Sequence, residues 1–125
     1  EDLKKVRPDV VALSVSNIGQ MGPMSQTPSY SPCAGAISGL ETLVGYEGEG
    51  TQGSTTAFMD PVTALYGAFA IVAALEHRAK TGEGQYIDSS LTEGGIAFTA
   101  EPLLDYQWNS RVWAPRGNME LGYAQ

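Results

Sequence analysis

The chain has 125 residues, 42% of them hydrophobic, with 14 acidic side chains against 7 Lys plus Arg and a formal charge of −7. That length suits one small domain with a modest core, and the acidic balance repels phosphate backbones and anionic lipid, which argues against a nucleic-acid partner. The longest strongly apolar stretch, Leu65 to Leu75, is short of the ~20 residues of a bilayer span, so no membrane helix is expected; the single cysteine, Cys33, rules out an internal disulfide and fits a reducing, cytoplasmic setting.

Residues 1–7 read as the end of a helix, with Lys4, Lys5 and Arg7 near the negative end of its dipole and Pro8 preventing continuation. Val10 to Ser16 combines β-branched residues with apolar character on both alternations, the pattern of a strand covered on both faces. Asn17 to Pro23 carries two glycines and a proline, so the backbone turns sharply at that strand's carboxyl end, where open α/β sheets gather ligands. Ser31 and Pro32 have N-cap and N1 chemistry, predicting a helix over 32–44 that Gly45 terminates. The polar, glycine-rich run to Ala57 reads as an exposed loop. Asp60 before Pro61 repeats the cap-then-proline signal and opens a long helix to Lys80, closed by Thr81 and Gly82. Its many alanines predict a buried helix. Gly84 to Ser90 is the second strand, and Ser90 with Glu93 forms a capping box for a helix to Trp108 that Pro102 kinks or divides. This order favours α/β layering, with a sheet that two strands leave incomplete. The chain also opens in mid-pattern without an initiator Met, and so reads as a piece of a longer one.

Few residues in this chain carry chemistry. Asp60, at an N-cap, sits where the helix macrodipole favours negative charge, and a carboxylate beside glycine-rich loops can attack an acyl carbon; on local evidence alone, ordinary capping is the stronger reading. His77, the only histidine, lies among Arg78 and Lys80 near a helix end, where basic residues stabilise the terminus, and it is poorly placed for a triad or a metal site. Cys33, inside an apolar helix, reads as a structural thiol. The glycines match neither GxGxxG nor a P-loop, and no Cys/His cluster suits zinc. Tyr30 either lines a pocket or staples a helix start.

Taken together, VVALSVSNIGQMGP, PSYSPCAGAISGL, Asp60 with LYGAFAIVAALEHRAKTGEGQYIDSSLTEG, and PRGN resemble the class III CoA-transferase family, which includes formyl-CoA transferase and carnitine CoA-transferase. The most specific part is AIVAALEHRAKTGEGQYIDSSL, preceded by Asp60 at fifteen residues from Leu75. The resemblance implies that Asp60 attacks the thioester of an acyl-CoA, giving an aspartyl anhydride and then an aspartyl-CoA thioester, from which a carboxylic acid acceptor takes the CoA. It also implies a Rossmann-like large domain of which residues 1–125 are the part containing the nucleophile, the flanking CoA-binding and small-domain segments lying elsewhere. An interlocked homodimer follows from it too. Tyr30, Asn17 and Gly19 are the candidate contacts to the CoA substrate, and no metal or tightly bound cofactor is expected. The family's racemase branch, acting on 2-methylacyl-CoA, uses a histidine where this chain has Tyr30; a phenol is a poor general base at neutral pH, so transfer is preferred. The residue after this tyrosine is often acidic in the family and is Ser31 here. A non-catalytic assembly module is the alternative of a different class.

Overall fold

The computed structural model describes residues 2–119. Helix α1 (Asp2–Val6) leads through Pro8 into strand β1 (Ala12–Ser16), as the basic residues and the proline predict. After the turn come α2 (Ser31–Ile37), a 3-10 turn (Leu40–Leu43), and a hairpin of two-residue strands, β2 (Gly45–Tyr46) and β3 (Gly50–Thr51). Helix α3 (Met59–Thr81) then crosses to β4 (Tyr86–Ser90), and α4 (Leu91–Phe98) and α5 (Ala100–Asn109) follow. β1 and β4 pair in parallel, with Ala12 opposite Tyr86 and Ser16 opposite Ser90, so α3 is the crossover of a β-α-β unit. The result is a mixed α/β fold with two small sheets.

Several local expectations change in the fold. The helix predicted over 32–44 stops at Ile37, because Ser38 turns its hydroxyl onto the Gly35 carbonyl and Gly39 adopts φ +83°, the left-handed conformation that ends helices. Gly45 instead opens the hairpin inside the expected loop; a Cβ there would stand 2.4 Å from the Gly50 carbonyl oxygen, and its φ of +152° suits glycine alone. Ser90 caps α4 as predicted, accepting the Glu93 N–H at 3.3 Å. The following helix divides at Thr99, three residues before Pro102, which has no N–H to donate and is accommodated in the first turn of α5. Gly82, at φ +76°, closes α3 as expected, its N–H bonded to the Arg78 carbonyl.

The core gathers where three helices meet beside the carboxyl ends of the strands: Ala34 of α2, Met59 and Val62 of α3 and Leu91 of α4, with Leu40 against them. One stripe of α3 (Met59, Thr63, Gly67, Ala74) is buried, at the spacing of a single helical face. Gly67 lets that face approach the sheet, since a Cβ there would come within 3.0 Å of the Leu13 side chain. The opposite face of α3 corrects the expectation of a buried helix: Leu65, Phe69 and Val72 are 73%, 75% and 66% exposed. Its 23 residues also make α3 long and apolar enough to cross a membrane by length and composition. A soluble core helix satisfies the same criterion, and one side of α3 packs on α4, β1 and β4. β1 is likewise half-covered rather than enclosed on both faces, with Val15 exposed.

Candidate active site

An open cleft of about 390 Å³ lies at the carboxyl end of β1. Its walls are Val15 to Asn17 from β1 and the turn after it, Tyr30 to Pro32 at the start of α2, Ala57 and Asp60 at the start of α3, and Leu91, the first residue of α4. Three helices therefore begin around one strand end. This is the position where α/β units collect ligands, and the helix termini bring partial positive charge to it.

Asp60 is exposed in this cleft and does not cap α3. Phe58 occupies the cap position, with Asp60 one residue inside the helix. The capping comes from Ser31, which is 5% exposed and accepts the Met59 N–H on its hydroxyl oxygen at 3.1 Å. Ser31 is in turn the first residue of α2 rather than its cap, a place taken by Tyr30 in extended backbone. The Asp60 N–H bonds to the Ala57 carbonyl at 3.3 Å, Pro61 has none to give, and the Val62 N–H bonds to Phe58. The first turn of α3 thus spends its donors on backbone and on Ser31, which leaves the Asp60 carboxylate free of the capping role that the sequence assigned to it. The sequence carries no local signal for this contact, because the two partners lie 28 residues apart.

Tyr30 is 67% exposed and lines the same cleft. Asn17 ties the cleft together. Its carbonyl accepts the Thr92 N–H at 2.9 Å, the Thr92 hydroxyl at 2.8 Å and the Ser90 hydroxyl at 3.3 Å, while its side-chain amide donates to the Ser29 carbonyl at 2.5 Å. Gly19 is buried, at φ +100°, and outside the cleft wall; it shapes the turn, with its N–H donated to the Ser16 hydroxyl and Asp88 bonded to the next amide, Gln20. Of the four candidates, the fold brings Asp60, Tyr30 and Asn17 together and leaves Gly19 behind them.

The other reactive side chains lie elsewhere. His77 stands near the far end of α3, 3.7 Å from Glu83, and Cys33 is a half-buried thiol of α2. Among the described residues no group of three or more His, Cys, Asp or Glu side chains could hold a metal ion. A more voluminous cleft, about 490 Å³, runs beside the hairpin but is lined by no carboxylate, histidine, cysteine, lysine or arginine. Two carboxyls are held below the usual carboxylate range: Asp105 by the Trp113 indole N–H, then Asn109, with Arg111 and Arg116 adding charge, and Asp9 chiefly by its bond from Arg7. Neither borders the Asp60 cleft.

Comparison with known proteins gives this geometry a context. The family model for CoA-transferase family III matches residues 1–125. The chain belongs to CoA-transferase family III. Among its family relatives, the Succinyl-CoA--L-malate CoA-transferase beta subunit of Chloroflexus aurantiacus is 38% identical over 117 residues, covering 93% of this chain and 29% of that protein. The human Succinyl-CoA:glutarate CoA-transferase is 34% identical over 106 residues, 85% of this chain and 24% of that one. The fold matches the crystal structure of a CAIB/BAIF family protein from Brucella suis with a TM-score of 0.86 and 30% identity, over 93% of this chain and 31% of that one. The chain spans about a quarter to a third of the length of these family members.

Proposed function

We propose that the intact protein transfers CoA from an acyl-CoA donor to a carboxylic acid acceptor, with Asp60 as the covalent nucleophile. The observation that carries this reading is the placement of Asp60: an exposed carboxylate in the first turn of α3, in the cleft shared by Tyr30 and Asn17, in a chain of CoA-transferase family III. The family's named members act on acyl-CoA and carboxylic acids, among them succinyl-CoA with L-malate or glutarate.

The chemistry needs only carboxylates and thioesters. An Asp60 oxygen adds to the thioester carbonyl, the C–S bond breaks, and CoA leaves as thiolate, giving an acyl-aspartyl anhydride. The thiolate attacks the aspartyl carbonyl of that anhydride and releases the donor acid as carboxylate, so the enzyme holds an aspartyl-CoA thioester. The acceptor carboxylate then displaces the thiolate to form a second anhydride, and the thiolate attacks the acceptor's acyl carbon, which frees Asp60. No proton or electron is left over. Helix α3 contributes the positive end of its dipole, while its own first-turn amides are already bonded. In this reading the donors for developing oxyanions come from outside that turn. So do cations for the CoA phosphates, since this chain has few. In this reading β1, α3 and β4 are part of a Rossmann-like large domain, Tyr30 and Asn17 border the CoA thioester, and the enzyme works as a cytoplasmic homodimer.

The test is Asp60→Asn in the intact protein. Asparagine keeps the size and loses the nucleophile, so transfer should fall by about a thousandfold or more with folding unchanged. A variant that keeps about a tenth of wild-type transfer rejects the assignment.

A further inference from the structure

The turn that carries Asp60 follows a polar segment, Gln52 to Phe58, of the kind that ordinarily moves. Here it is gripped at two points. Downstream, the Met59 N–H is held by Ser31. Upstream, both oxygens of the Glu41 carboxylate are occupied by one residue, Ser54: its backbone N–H donates to Oε2, and its hydroxyl donates to Oε1 at 2.6 Å. Two glycines from separate parts of the chain make room for this carboxylate. A Cβ at Gly35 of α2 would meet Oε1 at 2.6 Å, and one at Gly53 would meet Oε2 at 3.0 Å, with Gly53 also at φ +70°. Glu41 belongs to the 3-10 turn that follows α2 after Gly39 and packs against it, and Ser31 begins α2. Both grips therefore refer the Asp60 turn to the same body, the one that also presents Tyr30.

From this arrangement we propose that Glu41 is a positioning residue for the reaction: latched to Ser54 between Gly35 and Gly53, it fixes the approach to α3 and so holds Asp60 in register with Tyr30 across the cleft. The inference rests on the reading of Asp60 as the nucleophile. It assigns Glu41 no contact with substrate. Its carboxylate acts by geometry, and displacement of a reacting group by a fraction of an ångström is enough to slow a covalent step while binding continues.

The experiment uses the intact protein and its Glu41→Ala, Glu41→Gln and Ser54→Ala variants, with acyl-CoA as the probe. Steady-state kcat and KM are measured beside the single-turnover rate at which Asp60 becomes acylated, read by hydroxylamine trapping and mass spectrometry. Glu41→Ala is expected to lower kcat and the acylation rate about tenfold with KM within about twofold, and Glu41→Gln, which keeps an acceptor for the Ser54 N–H, to recover most of the loss. Combining Glu41→Ala with Ser54→Ala should cost little beyond Glu41→Ala alone, as for two halves of one latch. Amide hydrogen exchange should quicken over residues 54–60 in Glu41→Ala. Wild-type acylation of Asp60 together with an unchanged acylation rate in Glu41→Ala overturns this inference alone, even if that variant melts earlier. Wild-type turnover without labelling of Asp60 overturns the nucleophile reading and this inference with it.

Discussion

Two adjacent glycines of α4 should respond to the same substitution with opposite signs. At Gly94 an added Cβ would find Thr63 Oγ1 at 3.4 Å, Val62 Cγ1 at 3.6 Å and Tyr66 Cδ2 at 3.9 Å, all ordinary contacts. Gly94→Ala should then keep most of the ~1 kcal/mol that alanine gains over glycine inside a helix. At Gly95 the same atom would meet Ser38 Oγ at 2.4 Å, Ser38 Cβ at 2.7 Å and Met59 Sδ at 2.9 Å. Ser38 is buried with its hydroxyl bonded to the Gly35 carbonyl, and its Cβ cannot rotate away, so α2 or α4 must shift. Overpacking of this kind costs about 2–3 kcal/mol, which exceeds the gain in propensity and leaves Gly95→Ala about 1–2 kcal/mol less stable than wild type. The two variants should differ by about 2–3 kcal/mol in urea denaturation of the intact protein, compared at a common slope. Because Met59 precedes Asp60, Gly95→Ala should also lower kcat. Equal midpoints for the two variants, or a stabilised Gly95→Ala, would refute the packing described for α2, α3 and α4.

Ser31→Ala leaves the Met59 N–H without its acceptor, and should cost about 1–2 kcal/mol in denaturation together with a drop in kcat; Ser31→Thr, which restores a hydroxyl, separates lost capping from lost volume. Ser90→Ala removes the cap of α4 and the hydroxyl bonded to Asn17, so a loss of about 1 kcal/mol should appear in the same assay. Asp105 has its carboxyl held low by Trp113 and Asn109, so its contribution to stability is present above the unfolded carboxyl's ~4 and is lost as pH falls through the lower folded value. Asp105→Asn should therefore be less stable than wild type near neutrality, with the gap narrowing below about pH 4 in pH-dependent melts; a gap that widens there contradicts the assignment.

The sequence was most informative where the signals are local. The two strands, the long helix with its Gly82 stop, and the Ser90 cap follow from residues within a few positions of each other, and they were readable for that reason. Apolar residues continue past Ile37 and so prolong the helical pattern of α2 in the sequence, while its end is decided by a hydroxyl turned onto Gly35 and a left-handed Gly39. Asp60 stands out by its place before Pro61 and by the family pattern, but the cap expected of it is supplied by Ser31 from 28 residues away, and the Glu41 latch spans 13 residues. Contacts of that range leave no periodicity or dipeptide signal. In α3 the alanine content marks a helix built for close packing, but only one of its faces is covered here while Leu65, Phe69 and Val72 stand exposed. Asn17 is legible from its turn at a strand's carboxyl end and Tyr30 from its place before the Ser31–Pro32 helix start, and chain topology brings the two together.

The central claim is that Asp60 carries the transferred group. Incubating the intact protein with acyl-CoA and hydroxylamine, then mapping its peptides by mass spectrometry, tests this directly. The account predicts a hydroxamate at Asp60 that depends on acyl-CoA and appears as transfer stops; an enzyme that continues to transfer CoA with the Asp60 peptide unmodified would contradict it.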